Sequence, residues 1–373
     1  MISPKDFYNE IIKYSEFITG VPDSLLKELN ACILNEHPVD KHIIAPNEGS
    51  SIGLAIGNYI STRKVPTVYM QNSGIGNAIN PLLSLADKDV YGVPMIIFIG
   101  WRGEPGTKDE PQHFKQGLIQ EELLRAIKLD YIIIDSTLRD IEKTINQVYN
   151  SALHDKCPKV VLIKKGTFSE YPLRFNAQTK DLESREYALK TIIEIFDKDS
   201  LFIGTTGKTS RELFELRVSR GESHETDFLT VGGMGHASAI ATGVSMNTTK
   251  RVVCIDGDGA LLMHMGGLVS SAYYANDNFV HIVINNGVHE SVGGQPTLIN
   301  NVDIQKLALA CGYSKAYSIK DANSFKTLCE SGAMEFGPTL IEYKVKPGSR
   351  KDLGRPSHGP KENLKNLMRV VGE

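Results

Sequence analysis

Residues 251–286 read RVVCIDGDGALLMHMGGLVSSAYYANDNFVHIVINN, and this stretch decides the fold. RVVCI is a short apolar run of strand type that delivers Asp258 between Gly257 and Gly259. A helix pattern follows at once, and a second apolar run, FVHIVI, ends at Asn285-Asn286, 28 residues after Asp258. That interval suits one strand–helix–strand crossover, which returns Asn286 beside Asp258 at one sheet edge. Glycines let the backbone approach phosphate oxygens, and a helix start offers free N–H groups. A buried carboxylate in that place needs a cation. Asp258, an amide oxygen of Asn286, a nearby main-chain carbonyl and diphosphate oxygens make a hard oxygen set suited to Mg²⁺. The plainer alternative is a tight Asp-Gly turn in an ordinary βαβ unit.

Working outward, the rest of the second half keeps the same alternation. SLFIGTTG, DFLTVGG and TLIEYKV are further strand candidates, with TSRELFELRVSR, HASAIATGVSM and VDIQKLALAC as helices. The first half repeats the design. KHIIAPNE reads as a strand ending at Glu48, with Ser50 capping the helix SIGLAIGNYI, and VPTVYMQN, PMIIFIGW, YIIIDS and KVVLIKKG as strands. Between the halves, TFSEYPLRFNAQTKDLES is polar and unpatterned. The reading is an α/β chain with a first domain over 1–170, a linker over 171–186 and a second domain over 187–373, both built on parallel sheets. In such sheets ligands bind beyond the carboxyl ends of the strands, where both halves gather their polar and glycine residues.

With 373 residues the chain has room for two cores. A net charge of −3 argues against a nucleic-acid partner. Five scattered cysteines without a CxxC pair argue against structural zinc and fit a reducing compartment. No apolar run suits a membrane span, and the first twenty residues do not look like a signal peptide, so the expected location is the cytoplasm.

GDG followed by NN after one crossover resembles the thiamine-diphosphate-dependent enzymes. The resemblance implies Asp258, Asn286 and the Val288 carbonyl as Mg²⁺ ligands, with Gly257, Gly259 and Ala260 toward the diphosphate. It gives Glu48 the role of the carboxyl group on the cofactor's pyrimidine, where the plain reading is a helix-start acid. VGGMGHASAIATG resembles the segment that clamps the cofactor's middle, with Gly232, Met234, Gly235 and His236 in contact; core packing is the alternative for Met234. TTGKTS is not a P-loop, because Phe202 stands where the first glycine belongs, yet Thr206, Gly207 and Lys208 suit an anion contact at a helix start. QNSGIGNAINPLL resembles the pyrimidine-side segment, extending the match from about Gly20 to Lys344. The fold implied is two tandem thiamine-diphosphate-binding domains, pyrimidine-type then diphosphate-type, without the middle domain that many 2-oxo acid decarboxylases and acetolactate-type synthases carry.

That arrangement, with GVPDSLL, WRGEPGTKDEPQHFKQG and NNGVHESVGGQPT, is similar to the decarboxylases of 3-phosphonopyruvate and 3-sulfopyruvate, the phosphono branch most of all. It implies loss of CO₂ from a small anionic 2-oxo acid in phosphonate biosynthesis, with a carboligase of the acetolactate type as the rival. Arg102, Lys108 and His289 are candidates for the substrate's anionic groups. Asp23 and His113 are candidates for handling the proton, where the plain readings are a helix cap and a solvated loop histidine. Related pyruvate decarboxylases place a glutamate six residues after the metal asparagine; Val292 stands there in this chain, with Glu290 offset by two. The family also implies a homo-oligomer, at least a dimer, in which Glu48 and Asp258 of one site come from different chains.

Overall fold

The computed structural model describes residues 1–175, 179 and 181–372. Residues 176–178 and 180 of the expected 171–186 linker therefore lie outside the described residues. The chain divides into two compact units, Met1–Asn176 with His289–Gln295, and Ala177–Val288 with Pro296–Glu373.

The first unit holds β1 (Ile18–Gly20), β2 (His42–Ile44), β3 (Thr67–Gln71), β4 (Ile96–Gly100), β5 (Tyr131–Ile134) and β6 (Lys159–Ile163). They form one parallel sheet in the order β2-β1-β3-β4-β6-β5. Side chains alternate between its faces, as strand geometry requires. Ile96 and Phe98 belong to one core with Ile18, Tyr69 and Val161, and Ile97 and Ile99 to another with Val68, Met70 and Leu162. Each fully buried aliphatic chain of this kind contributes roughly 1.5–3 kcal/mol. Burial on both faces explains why these strands read as unbroken apolar runs.

The second unit holds β7 (Leu201–Gly204), β8 (Asp227–Leu229), β9 (Val252–Gly257), β10 (Phe279–Asn285), β11 (Lys315–Ile319) and β12 (Thr339–Lys344). Its sheet is also parallel, in the order β11-β12-β10-β9-β7-β8. Read from the other edge, each sheet places its own strands as second, first, third, fourth, sixth, fifth. Both therefore reverse direction between their first and third strands, the crevice where ligands of open α/β sheets bind. In the second unit that crevice lies between the ends of β7 and β9, which carry Thr206–Lys208 and Asp258.

Several local expectations change. Helix Glu48–Thr62 begins two residues before Ser50, and Asn47 caps it by accepting from the Ser50 N–H at 2.8 Å. The run LLMHMGGLVSSAYYA holds parts of two helices, Asp258–Met263 and Gly267–Tyr274, separated by a turn over 264–266. The segment expected as a loop around His113 forms the helix Pro111–Leu118, with Pro111 in its first turn. Strands β1 and β11 have no counterpart among the expected strands.

Candidate active site

In the second unit, β9 ends at Gly257 and Asp258 opens the next helix, 5% exposed. Its carboxylate is held by three donors. Oδ1 accepts from the Gly259 N–H at 2.9 Å; Oδ2 accepts from the Gly287 N–H and the Thr297 hydroxyl, each at 2.9 Å. Burial still pushes the carboxyl up to about 6, against the lowering by these hydrogen bonds. No cationic side chain is among the groups that set this value. The Gly287 contact shows that the crossover returns β10 beside Asp258 as its spacing predicted. Asn286 is buried, and its Oδ1 accepts from the Val288 N–H at 3.1 Å. Gly287 sits at φ +71°, a conformation that favours glycine.

The arrangement suits a hard cation with few protein charges. Among the described residues no group of three His, Cys, Asp or Glu side chains forms a metal cage. One carboxylate, one amide oxygen and one main-chain carbonyl leave most of a Mg²⁺ shell to be filled by a ligand's phosphate oxygens and water. The donors for such a ligand are less open than expected. The Gly259 N–H is turned to Asp258, and the Gly257 N–H donates to Asp256 at 2.9 Å. Ala260 is buried in the first turn of the same helix.

Thr206, Gly207 and Lys208 follow β7, each partly exposed, with Gly207 at φ +101° as the cap of helix Lys208–Ser219. Gly232 and Met234 are partly exposed in the turn after β8. Gly235, at φ +86°, is packed so closely on His264 and the Ala260 carbonyl that no side chain fits there. His236 caps helix Ala237–Ser245 and stacks on His264 with ring centroids 4.4 Å apart. Met234 is thus no core residue, and His236 is exposed.

In the first unit, Glu48 is 5% exposed at the start of its helix. Its Oε2 accepts from Asn77 Nδ2 at 2.8 Å, and its carboxylate lies against Gly74, where a methyl group would collide with it. Asp23 follows β1 and is fully buried against Gly100. Its Oδ2 accepts from the Leu25 N–H at 3.2 Å, and its Oδ1 has no partner. Burial pushes Asp23 up to about 6, with the Arg102 charge opposing. It is not a helix cap, since the next helix starts at Lys27 with Leu26 as its cap. His113 is buried at 8% exposure with Nδ1 unpartnered, and burial, then Arg102, holds its pKa below the usual value.

The anion candidates fare unequally. Arg102 is not a free clamp: its Nε donates to Asp109 Oδ2 at 2.8 Å, its Nη2 also binds Asp109, and its Nη1 donates to Ser24 at 2.7 Å. It is a fixed positive charge that both Asp23 and His113 feel. Lys108 is exposed just before helix Pro111–Leu118, and His289 is half-buried just beyond Val288. Three contacts of the candidate residues escaped the sequence reading: Thr297 on Asp258, Asn77 on Glu48, and Asp109 on Arg102. The first two lie far along the chain from their partners and carry no spacing signal. Asp109 had one, an acid seven residues beyond an arginine in a glycine-proline turn.

Comparison with known proteins agrees with this geometry. The family described as "Thiamine pyrophosphate enzyme, N-terminal TPP binding domain" matches residues 13–125, and its C-terminal TPP binding domain matches 205–343. The chain is 32% identical to a phosphonopyruvate decarboxylase of Streptomyces viridochromogenes, over 95% of this chain and 91% of that protein. It is 31% identical to another of Streptomyces hygroscopicus, over 95% and 90%. A sulfopyruvate decarboxylase of Methanosarcina acetivorans is 26% identical, over 100% and 98%.

Proposed function

Because this chain belongs to the phosphonopyruvate decarboxylase family of thiamine-diphosphate enzymes, we propose that it converts 3-phosphonopyruvate to phosphonoacetaldehyde and CO₂, a carbon–carbon lyase step of phosphonate biosynthesis. The observation that carries this is likeness to two such enzymes over 95% of the chain, spanning both sheets. Thiamine diphosphate, when bound, supplies the electron sink for the leaving carboxylate.

The residues divide the remaining work. Asp258, Asn286 and the Val288 carbonyl hold Mg²⁺ against the diphosphate. Thr206–Lys208 and the turn from Gly257 to Ala260 line the same crevice. Gly232, Met234, Gly235 and His236 support the cofactor's middle. Glu48, fixed by Asn77 and Gly74, presents a carboxyl group to the pyrimidine. Asp23 and His113 deliver the proton that replaces CO₂. A carboxyl group with a pKa of about 6 is divided between acid and base near neutrality, and the His113 imidazole, held below its usual pKa by burial, can pass a proton on. Lys108 and His289 meet the substrate's anionic groups, while Arg102, held by Asp109, tunes Asp23 and His113 from a fixed place.

The working form is a cytoplasmic homo-oligomer, at least a dimer. Among the described residues no helix is long and apolar enough to cross a membrane. The family also includes the sulfopyruvate enzyme, so the deciding assay sets phosphonopyruvate, sulfopyruvate and pyruvate side by side with thiamine diphosphate and Mg²⁺. The expected outcome is the highest kcat/KM with phosphonopyruvate and an aldehyde product. Preference for either other acid overturns the substrate, and a 2-hydroxy ketone product overturns the lyase in favour of a carboligase.

A further inference from the structure

Asn285, the first asparagine of the pair, does not face the position assigned to the cation. Its Oδ1 accepts from the Gly287 N–H at 3.0 Å, the same N–H that donates to Asp258 Oδ2 at 2.9 Å. Its Nδ2 donates to Glu342 Oε1 at 2.7 Å. Glu342 lies in β12, the neighbour of β10, and is 5% exposed. Its other oxygen accepts from the Ser318 hydroxyl in β11 at 2.5 Å and has Lys344 Nζ at 3.7 Å. A buried glutamate is costly unless its oxygens are satisfied, and here both are. The chain of contacts runs from Ser318 through Glu342 and Asn285 to the Gly287 N–H. That N–H sits between Asn286 and Val288 in sequence and touches Asp258 directly.

We propose that Glu342 is a positioning residue for the metal loop. It fixes the Asn285 amide, which orients the 286–288 turn so that the Asn286 oxygen and Val288 carbonyl converge with Asp258 on one cation. Charged groups behind a ligand commonly act this way, and their loss weakens metal binding 10- to 100-fold. This inference rests on the assignment of Asp258, Asn286 and Val288 to Mg²⁺.

The test is calorimetric binding of thiamine diphosphate to the full-length protein across a Mg²⁺ series, with no substrate present. Glu342→Leu removes the acceptor; Glu342→Gln keeps an oxygen for Asn285. The expected result is roughly a 10- to 100-fold higher Mg²⁺ requirement for Glu342→Leu and a return to near wild type for Glu342→Gln. Asn285→Ala breaks the same link from the loop side and stands in if Glu342→Leu does not fold. The double variant should bind no worse than the weaker single one, because both residues act through one contact. A folded Glu342→Leu or Asn285→Ala with wild-type Mg²⁺ dependence overturns the proposal, as does a double variant whose losses add. Asp258→Asn separates the two levels. If it binds thiamine diphosphate with unchanged Mg²⁺ dependence, the metal assignment itself fails. If it alone loses the dependence, only the role of Glu342 fails.

Discussion

Glu48 is the residue on which the proposed chemistry turns, and its surroundings make a sharp prediction. Glu48→Gln keeps the shape, the burial and a hydrogen-bonding group for Asn77, and removes only the ionisable carboxyl. Turnover should fall about 10²–10⁴-fold, while calorimetry finds thiamine diphosphate affinity within a few-fold of wild type. Full turnover in this variant would remove Glu48 from the mechanism. Asp23 makes a different kind of prediction. Its pKa is about 6 in the folded protein and near 3.9 in the unfolded chain. The folded state therefore binds more protons between those values, and stability falls as pH rises through that window. Above about pH 6 the buried charge costs roughly 3 kcal/mol, less whatever relaxation Asp23 finds. Asp23→Asn should accordingly unfold at higher urea than wild type at pH 7.5, lose that advantage near pH 4, and decarboxylate poorly throughout. An unchanged urea midpoint at pH 7.5 would mean that Asp23 carries no such strain. Glu48 was legible in the sequence as a residue at a strand end, and Asp23 only as an acid just before a helix pattern. Their partners were not, because Asn77 and Arg102 meet them through the sheet and not through spacing along the chain.

At the scale of elements, the turn that follows β3 shows how a backbone position serves a side chain elsewhere. Gly74 has φ −73°, open to any residue, so its lack of a Cβ matters only for the room it leaves. Gly74→Ala forces the Glu48 carboxylate aside, at a cost typical of overpacking, about 1–3 kcal/mol. Decarboxylation should drop at least tenfold, as near-attack geometry is sensitive to small displacements. An alanine variant with wild-type kcat would show that Glu48 has a second productive position. Elements also mark where sequence reading succeeds and fails. The central strands β4, β6, β9 and β10 were legible because burial on both faces demands continuous apolar residues. Strand β1 has only three residues, and β11 (KAYSI) has partly exposed side chains, so neither carries that signal. Helix Pro111–Leu118 was hidden by the Gly, Pro and Asp residues that precede it. They mark a turn, and His113 and Gly117 on its buried face are too few to set a period.

For the whole molecule, the dimer proposed above draws Glu48 and Asp258 of one site from different copies of the chain. Glu48→Gln and Asp258→Asn, each inactive alone, should then complement when co-expressed. A mixed dimer has one site with both defects and one with neither. Random pairing makes half the dimers mixed, so recovery should reach about a quarter of wild-type activity. No recovery in a sample shown by mass spectrometry to contain mixed dimers would place both residues of a site in a single chain.

The shared strand order of the two sheets carries a consequence for where their acids stand. Two sheets that reverse at the same point have corresponding strand ends that can be compared in pairs. Where β9 hands over to Asp258, its counterpart β3 hands over to Asn72, a side chain without charge. Where β8 leads to Gly232 and Met234, its counterpart β2 leads to Glu48. The second sheet bears its acid, Asp258, after its third strand, and the first bears Glu48 after its second. One strand order serves both sheets, and the difference lies in which strand end bears the carboxylate.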